Sequence, residues 1–430
     1  MDRRTFLRSA LAGAGAIALG DALRVAATAT AAGNADHPSY GSLQAADANG
    51  LEYPLGFSGR LIARSGLPVG LTPHLWPAFP DGAACFERPG GKPGWILVVN
   101  SENPPAADLN LLPPVQNLVG GASAIVFDGS GKIKDSYWVL RNTQTNCAGG
   151  VTPWGTWLSC EEFDFTVRTP GAAPSDAGRV WECFPTDKGG KNARVLPQLG
   201  HFKHEAATFD DDGRVYLTED MTDGCFYRFT PSASTSGPAS LTNGVMDALR
   251  DNGDETVTWV GPIDPTASSE RTRVQAALLG ATIFNSGEGC YYDKANRRVL
   301  FTTKGDNRVW DLGLDHDTLS VLYDGQEEGS VLTGVDNIIV SPDTGNIYVA
   351  EDGGNMEVVV IERINGDWTA APLVRATGPQ HGIVTPSPVP TASEITGLAL
   401  SPDGTRLYFN GQRSFGLGVT YEVTKASGRF

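Results

Sequence analysis

One pattern recurs along the chain and constrains its fold more than any other feature. An acidic residue opens an alternating apolar run, a turn of the D-x-x-G kind follows, and a second apolar run comes back. The clear copies are HEAATFDDDGRVYLTED (204–220), GEGCYYDKANRRVLFTTKGD (287–306), VDNIIVSPDTGNIYVAED (335–352) and SEITGLALSPDGTRLYFNGQR (393–413). Looser ones are DGAACFERPGGKPGWILVVNSEN (81–103) and GGVTPWGTWLSCEE (149–162). Alternation with period two marks strands, and Asp-Gly turns join them as hairpins because Gly accepts positive φ and Asp bonds its own turn. The second runs end at Asn100, Ser159, Thr218, Thr302, Ala350 and Asn410, roughly 60 residues apart on average, which leaves room for four strands each. The pattern predicts an all-β, six-bladed β-propeller over 80–430, with about four antiparallel strands per blade. Residues 32–79 are expected to form an N-terminal extension and the start of the propeller. The widest interval holds PSASTSGPAS (231–240) and a polar stretch from Asp251 to Glu270, and reads as an inserted segment around 231–280, with Thr266–Leu279 its best helical candidate. An array of two-sheet sandwiches competes, because strand spacing does not fix ring closure.

Composition narrows the partners. The chain has 430 residues with 52 Gly and 28 Pro, a turn-rich usage that disfavours coiled coils. Its 33 basic against 49 acidic residues give a formal charge of −16, which argues against nucleic-acid binding and suits hard cations. The start, MDRRTFLRSA followed by an apolar stretch from Leu11 to Leu19 and small residues to Ala32, reads as a twin-arginine signal peptide over 1–31. Export by the twin-arginine translocation machinery to a periplasmic or extracellular site is therefore expected, as a monomer without stable membrane insertion. Six cysteines without a CxxC pair exclude a zinc ribbon and leave disulfide pairing open.

In a propeller the first strand of each blade lines the central channel. The acids that open the repeats, Asp81, Glu205, Glu288, Asp336 and Glu394, are thus expected to converge. A second polar set follows the next strands: Asn100 and Glu102, Cys160 with Glu161 and Glu162, Glu219 and Asp220, then Asp352. Any one such acid is equally well explained as solvated or as a turn former, which is the reading for Asp210 to Asp212, Asp343 and Asp403. Together they repel, so protons or cations must sit among them, and cations are the favoured choice. Lys304, Arg308 and Arg413 lie at or near channel-side positions, and Lys304 and Arg413 are candidates to touch phosphate.

At these motifs the chain resembles the PhoX-type alkaline phosphatases, exported β-propeller enzymes. The matching strings are VVNSEN at Asn100, TPWGTWLSCEE (152–162), GHFKHEAATFD (200–210), SGEGCYYD, VDNIIVSPDTGNIYVAEDG (335–353) and EITGLALSPDGTRLYFN (394–410). The resemblance implies a channel holding two ferric and three calcium ions around a bridging oxygen, with hydrolysis of small phosphate esters. Carried over, it implies Cys160 as the thiolate ligand to iron and Glu205, Glu288, Asp336 and Glu394 as cluster carboxylates. Asn100, Glu102, Glu161, Glu162, Glu219 and Asp220 are further candidate ligands. This chain departs from the family where Gln-His-Pro follows the last repeat: it has Gln412-Arg413-Ser414. Two other classes stay open: a calcium-dependent propeller lactonase or arylesterase, and a non-catalytic extracytoplasmic binding propeller.

Overall fold

In a computed structural model of the protein, the described residues are 40–103, 120–163, 177–232, 237–266, 271–352, 355–381 and 393–430. The signal peptide expected at 1–31 lies outside them. Alternating apolar runs are buried on both faces here: the strand Val215–Glu219 is buried at every position, as is Ile347–Glu351. That burial is possible because six antiparallel sheets pack face to face around an axis, forming a six-bladed β-propeller. The sheets start with the channel strands Pro80–Glu87, Asn146–Val151, His204–Phe209, Gly287–Asp293, Val335–Val340 and Ile395–Leu400. Apolar clusters fill the seams between blades. One joins Leu158 and Val180 of the second blade to Leu217 and Tyr227 of the third, and another stacks Phe226 on Phe301 at 4.2 Å. Each such large side chain contributes about 1.5–3 kcal/mol on burial.

The ring is closed by residues far apart in sequence. Phe57–Arg64 pairs with Val419–Lys425 as the outer strand of the sixth blade, and Leu51–Glu52 adds a fifth strand to the fifth blade. Arg60 grips Glu422 with two bonds of 2.7 and 3.0 Å across that closure.

The segment 231–280 needs correction as an insertion. Gly244–Asp251 is the fourth strand of the third blade and Val257–Ile263 a fifth, paired in one sheet. Among its described residues, the helix Thr272–Leu278 and a short 3-10 turn at Pro238–Thr242 stand outside the blade strands. The charged strand GVMDALRD lies in the outer part of its blade, where polar side chains meet water, so its alternation is blurred.

Every channel strand carries a bulge near its start. Register shifts occur between Pro80 and Ala83, Asn146 and Gly149, His204 and Ala207, Gly287 and Cys290, Val335 and Ile338, and Thr396 and Ala399. A bulge re-aims side chains and leaves backbone groups unpaired. Here the preceding blade supplies the missing partners. Asn100 Nδ2 donates to the carbonyls of Cys147 and Ala148 at 3.0 and 2.8 Å, Thr302 Oγ1 to Asp336 O at 2.6 Å, and Asn410 Nδ2 to Asp81 O at 2.8 Å. Thr218 makes the same bond to Glu288 O. Blade five has Ala350 at this place, and there Asn337 Oδ1 accepts from Gly397 N instead. In four blades the polar residue ending the second strand, Asn100, Thr218, Thr302 or Asn410, is thus a latch to the next blade. Gly82 permits the approach, since a Cβ there would lie 2.4 Å from Ala148 Cα.

Candidate metal centre

The bulges aim five side chains at the axis: Asp81, Cys147, Glu205, Glu288 and Asp336. In the sixth blade the same position, just before a glycine that abuts the next blade, is Thr396, which donates to Pro80 O at 3.0 Å. Loops beyond the second strands add Glu102 and Glu162. Among the described residues three groups of ligand atoms result: Asp81, Glu102 and Cys147; Cys147, Glu162 and Glu205; Glu205, Glu288 and Asp336. Within each group the atoms lie within 4.8 Å of one another. Cys147 and Glu205 each belong to two groups, so the three positions form a continuous chain, and Cys147 Sγ donates to Glu205 Oε1 at 3.2 Å.

Cations surround this chain. Lys203 Nζ lies 2.5 Å from Glu162 and 2.6 Å from Asp220, and Lys304 Nζ 2.5 Å from Glu288 and 3.0 Å from Asp352. Arg413 meets Glu394 at 2.6 Å. Among the described residues nine carboxyl groups (Asp81, Glu102, Glu162, Glu205, Asp220, Glu288, Asp336, Asp352 and Glu394) thus face three cationic side chains. Burial pushes Asp81 up to about 7, with the charge of Glu162 adding to it. Burial and neighbouring carboxylates push Glu102, Glu205, Glu288, Asp336 and Glu394 well above the usual range, and the Cys147 thiol likewise. Burial opposes the ionised forms of Asp220 and Asp352 too, but Lys304 together with Lys203 at Asp220, and Lys304 together with Glu394 and Arg413 at Asp352, outweigh it and hold both below the usual range.

Such a cluster resolves its repulsion by keeping protons or by taking cations. The donor set fits the second answer. Glu205 is fully buried, and its Oε2 has no hydrogen-bond partner. Carboxylate oxygens suit hard cations such as calcium, and the one thiol adds a ligand that iron accepts.

The structure brings together Glu102, Glu162, Glu205, Glu288 and Asp336 as expected, with Asp220, Lys304, Arg413 and Glu394 beside them. Glu394 sits two residues ahead of the ring position, so it meets Arg413 rather than the axial groups. Four expected ligands are placed elsewhere. Cys160 is fully buried in the apolar seam with Leu158, Val180 and Leu217. Asn100 spends all its capacity as a latch, since its Oδ1 accepts from Trp157 Nε1 and Ser159 Oγ, both at 2.9 Å. Glu161 caps backbone N–H groups of Gln144 and Arg179 at 3.1 and 3.2 Å. Glu219 is held by Arg273 at 2.6 Å, Tyr227 Oη at 2.8 Å and Cys225 N at 3.2 Å. Arg308 pairs with Asp306 and Asp324.

Cys147, Lys203 and Gln412 were missed as site residues, and Asp81 was seen only as a repeat acid. A signal existed for Cys147: the second repeat starts three residues earlier than read, at Asn146, which puts Cys147 at the acid position. All six cysteines are thiols.

The family described as alkaline phosphatase PhoX has a model that matches residues 120–311. That span carries Cys147, Glu162, Lys203, Glu205, Asp220, Glu288 and Lys304. Among solved structures the chain is similar to Pseudomonas fluorescens PhoX, described in complex with vanadate, a transition state analogue. The TM-score is 0.68 at 16% identity, covering 89% of this chain and 97% of that one. Fainter likenesses are a gluconolactonase from Xanthomonas campestris (TM-score 0.43, 10% identity, 90% and 98% covered) and the PQQ domain of a pyranose dehydrogenase from Coprinopsis cinerea (0.46, 13%, 88% and 98%). No curated protein matches the chain. The resemblance read from the motifs agrees with the family model over 120–311, and the structural likeness shows the same six-bladed fold.

Proposed function

We propose, from this PhoX resemblance, that the chain is an exported, metal-dependent phosphoester hydrolase acting on small phosphate monoesters. The observation that carries the reading is the chain of three ligand groups joined through Cys147 and Glu205, two residues that lie within the stretch the family model matches. Asp81, Glu102, Cys147, Glu162, Glu205, Glu288 and Asp336 would hold iron and calcium. Bound there, these ions supply positive charge that polarises phosphoryl oxygens and lowers the pKa of water.

The protein's own groups do the rest. Lys203, Lys304 and Arg413 stand beside the cluster, each paired with acids, and present N–H donors to non-bridging oxygens of a phosphate. Positioning and charge of this kind supply most of what phosphoryl transfer requires. The five inter-blade latches fix their bulges, and with them the spacing of the carboxylates. Export rests on Arg3, Arg4 and the apolar stretch behind them. Among the described residues no helix is long and apolar enough to cross a membrane.

The test is elemental analysis for iron and calcium, run beside hydrolysis of p-nitrophenyl phosphate before and after EDTA. Metal and activity should fall together and return together on reloading. Full turnover by metal-free protein would overturn the reading, and calcium alone with lactone hydrolysis would replace it.

A further inference from the structure

Gln412 keeps the first residue of the family's Gln-His-Pro, and the chain departs from that string at Arg413 and Ser414. Its side chain reaches into the first ligand group. Nε2 donates to Glu102 Oε2 at 2.7 Å and also to Asp81 Oδ2. The residue is 1% exposed, yet its Oε1 has no partner. The amide NH2 therefore lies between two carboxylates of the Asp81, Glu102 and Cys147 group, where a cation would lie, while a buried carbonyl oxygen is left without a bond. A half-turn of the amide exchanges nitrogen for oxygen at the same place.

The backbone holds the residue there. Gln412 N donates to Glu394 O at 3.0 Å, and Arg413 N to Ser393 Oγ at 3.1 Å. Ser414 Oγ is bonded to His381 Nδ1 at 2.8 Å and to Ser393 Oγ at 3.1 Å, and His381 Nε2 lies 3.1 Å from Asn49 O. The strand end that carries Gln412 is thereby tied to the N-terminal segment that closes the ring.

We propose that Gln412 is a ligand, through Oε1, of a calcium-class cation held by the carboxylates of Asp81 and Glu102. An amide carbonyl is a hard, neutral donor, and calcium accepts it beside carboxylates. Without the ion the same amide turns its NH2 to the two acids and acts as a stand-in for the charge. This inference rests on the metal-centre reading above.

Equilibrium dialysis against stepped calcium chloride, followed by elemental analysis, tests it on the full chain. Gln412→Leu removes the oxygen, and Gln412→Glu supplies a carboxylate in its place. The ligand role predicts that Gln412→Leu loses one calcium per chain, or binds it about 10–100-fold more weakly, while Gln412→Glu keeps the wild-type count. A role limited to hydrogen-bond donation predicts the reverse for Gln412→Glu, because a third acid would face Asp81 and Glu102 with no donor. Loss of the ion in Gln412→Glu, or an unchanged isotherm in Gln412→Leu, overturns the proposal. Should Gln412→Leu fail to fold, the Gln412→Glu isotherm decides alone. Wild-type protein that binds no metal would instead take down the metal-centre reading itself.

Discussion

Cys147 Sγ donates to Glu205 Oε1 at 3.2 Å, and each of the two belongs to two adjacent ligand groups. Removing Cys147 therefore breaks two positions at once. Cys147→Ala should lower the metal content and abolish any sulfur-to-iron absorption band. Cys160→Ala should leave both unchanged and cost only packing, about 1–2 kcal/mol, seen as a lower unfolding midpoint. The opposite pattern in visible spectra would restore Cys160 as the thiolate.

Glu205→Gln keeps the shape of the side chain and removes its charge from two groups. Elemental analysis should show fewer ions per chain, and kcat should fall by about 100-fold or more, the scale for losing a preorganised charge contact. Wild-type metal content in Glu205→Gln would remove Glu205 from the centre.

Lys304 links Glu288 and Asp352 at the edge of the cluster. Lys304→Met should weaken inhibition by inorganic phosphate and lower kcat/KM by about 10–100-fold, while metal content stays near wild type. An unchanged phosphate inhibition constant would make Lys304 a purely structural counter-charge.

Asn100 makes four hydrogen bonds between the first two blades. Asn100→Leu leaves two carbonyls and the Trp157 indole without partners in a buried seam. The expected cost is about 2–4 kcal/mol in urea unfolding, larger than for an exposed polar residue. A cost under about 0.5 kcal/mol would contradict the latch role.

His74 lies edge-on to Trp138 at 5.6 Å and bonds Ser123 Oγ at 3.1 Å. Burial, helped by Arg141, lowers it to about 4 from its usual 6.5. The folded state holds it neutral, so its contribution is complete above about pH 6.5 and is lost as pH falls towards 4. The pKa difference, discounted for partial exposure, amounts to about 2 kcal/mol. His74→Gln should flatten the acid limb of stability between those pH values. Parallel acid limbs in wild type and variant would show that His74 titrates normally.

Much of this protein was legible in its sequence. The hairpin copies with Asp-Gly turns gave the blades, and their number and spacing gave six. Convergence of Glu205, Glu288 and Asp336 followed from the ring, because like positions on channel strands meet at one axis. Asn100, Cys160, Glu161 and Glu219 were misplaced for one reason. They end second strands or follow them, and pattern alone does not say whether such a side chain turns to the channel or into a seam.

Local alternation thus determined by itself that the chain forms hairpins of a repeating size and carries more acid on their leading ends than turns require. It could not decide which polar residues become neighbours. A bulge moves a side chain to the other face of its strand, and bulges set by latches from adjoining blades, such as Asn100 on Cys147 O, placed Cys147 on the axis and left Cys160 in the core. Closure of the ring by Phe57–Arg64 against Val419–Lys425 and the meeting of Gln412 with Asp81 join residues more than three hundred positions apart. Contacts at such separation arise only when all six blades pack around one centre.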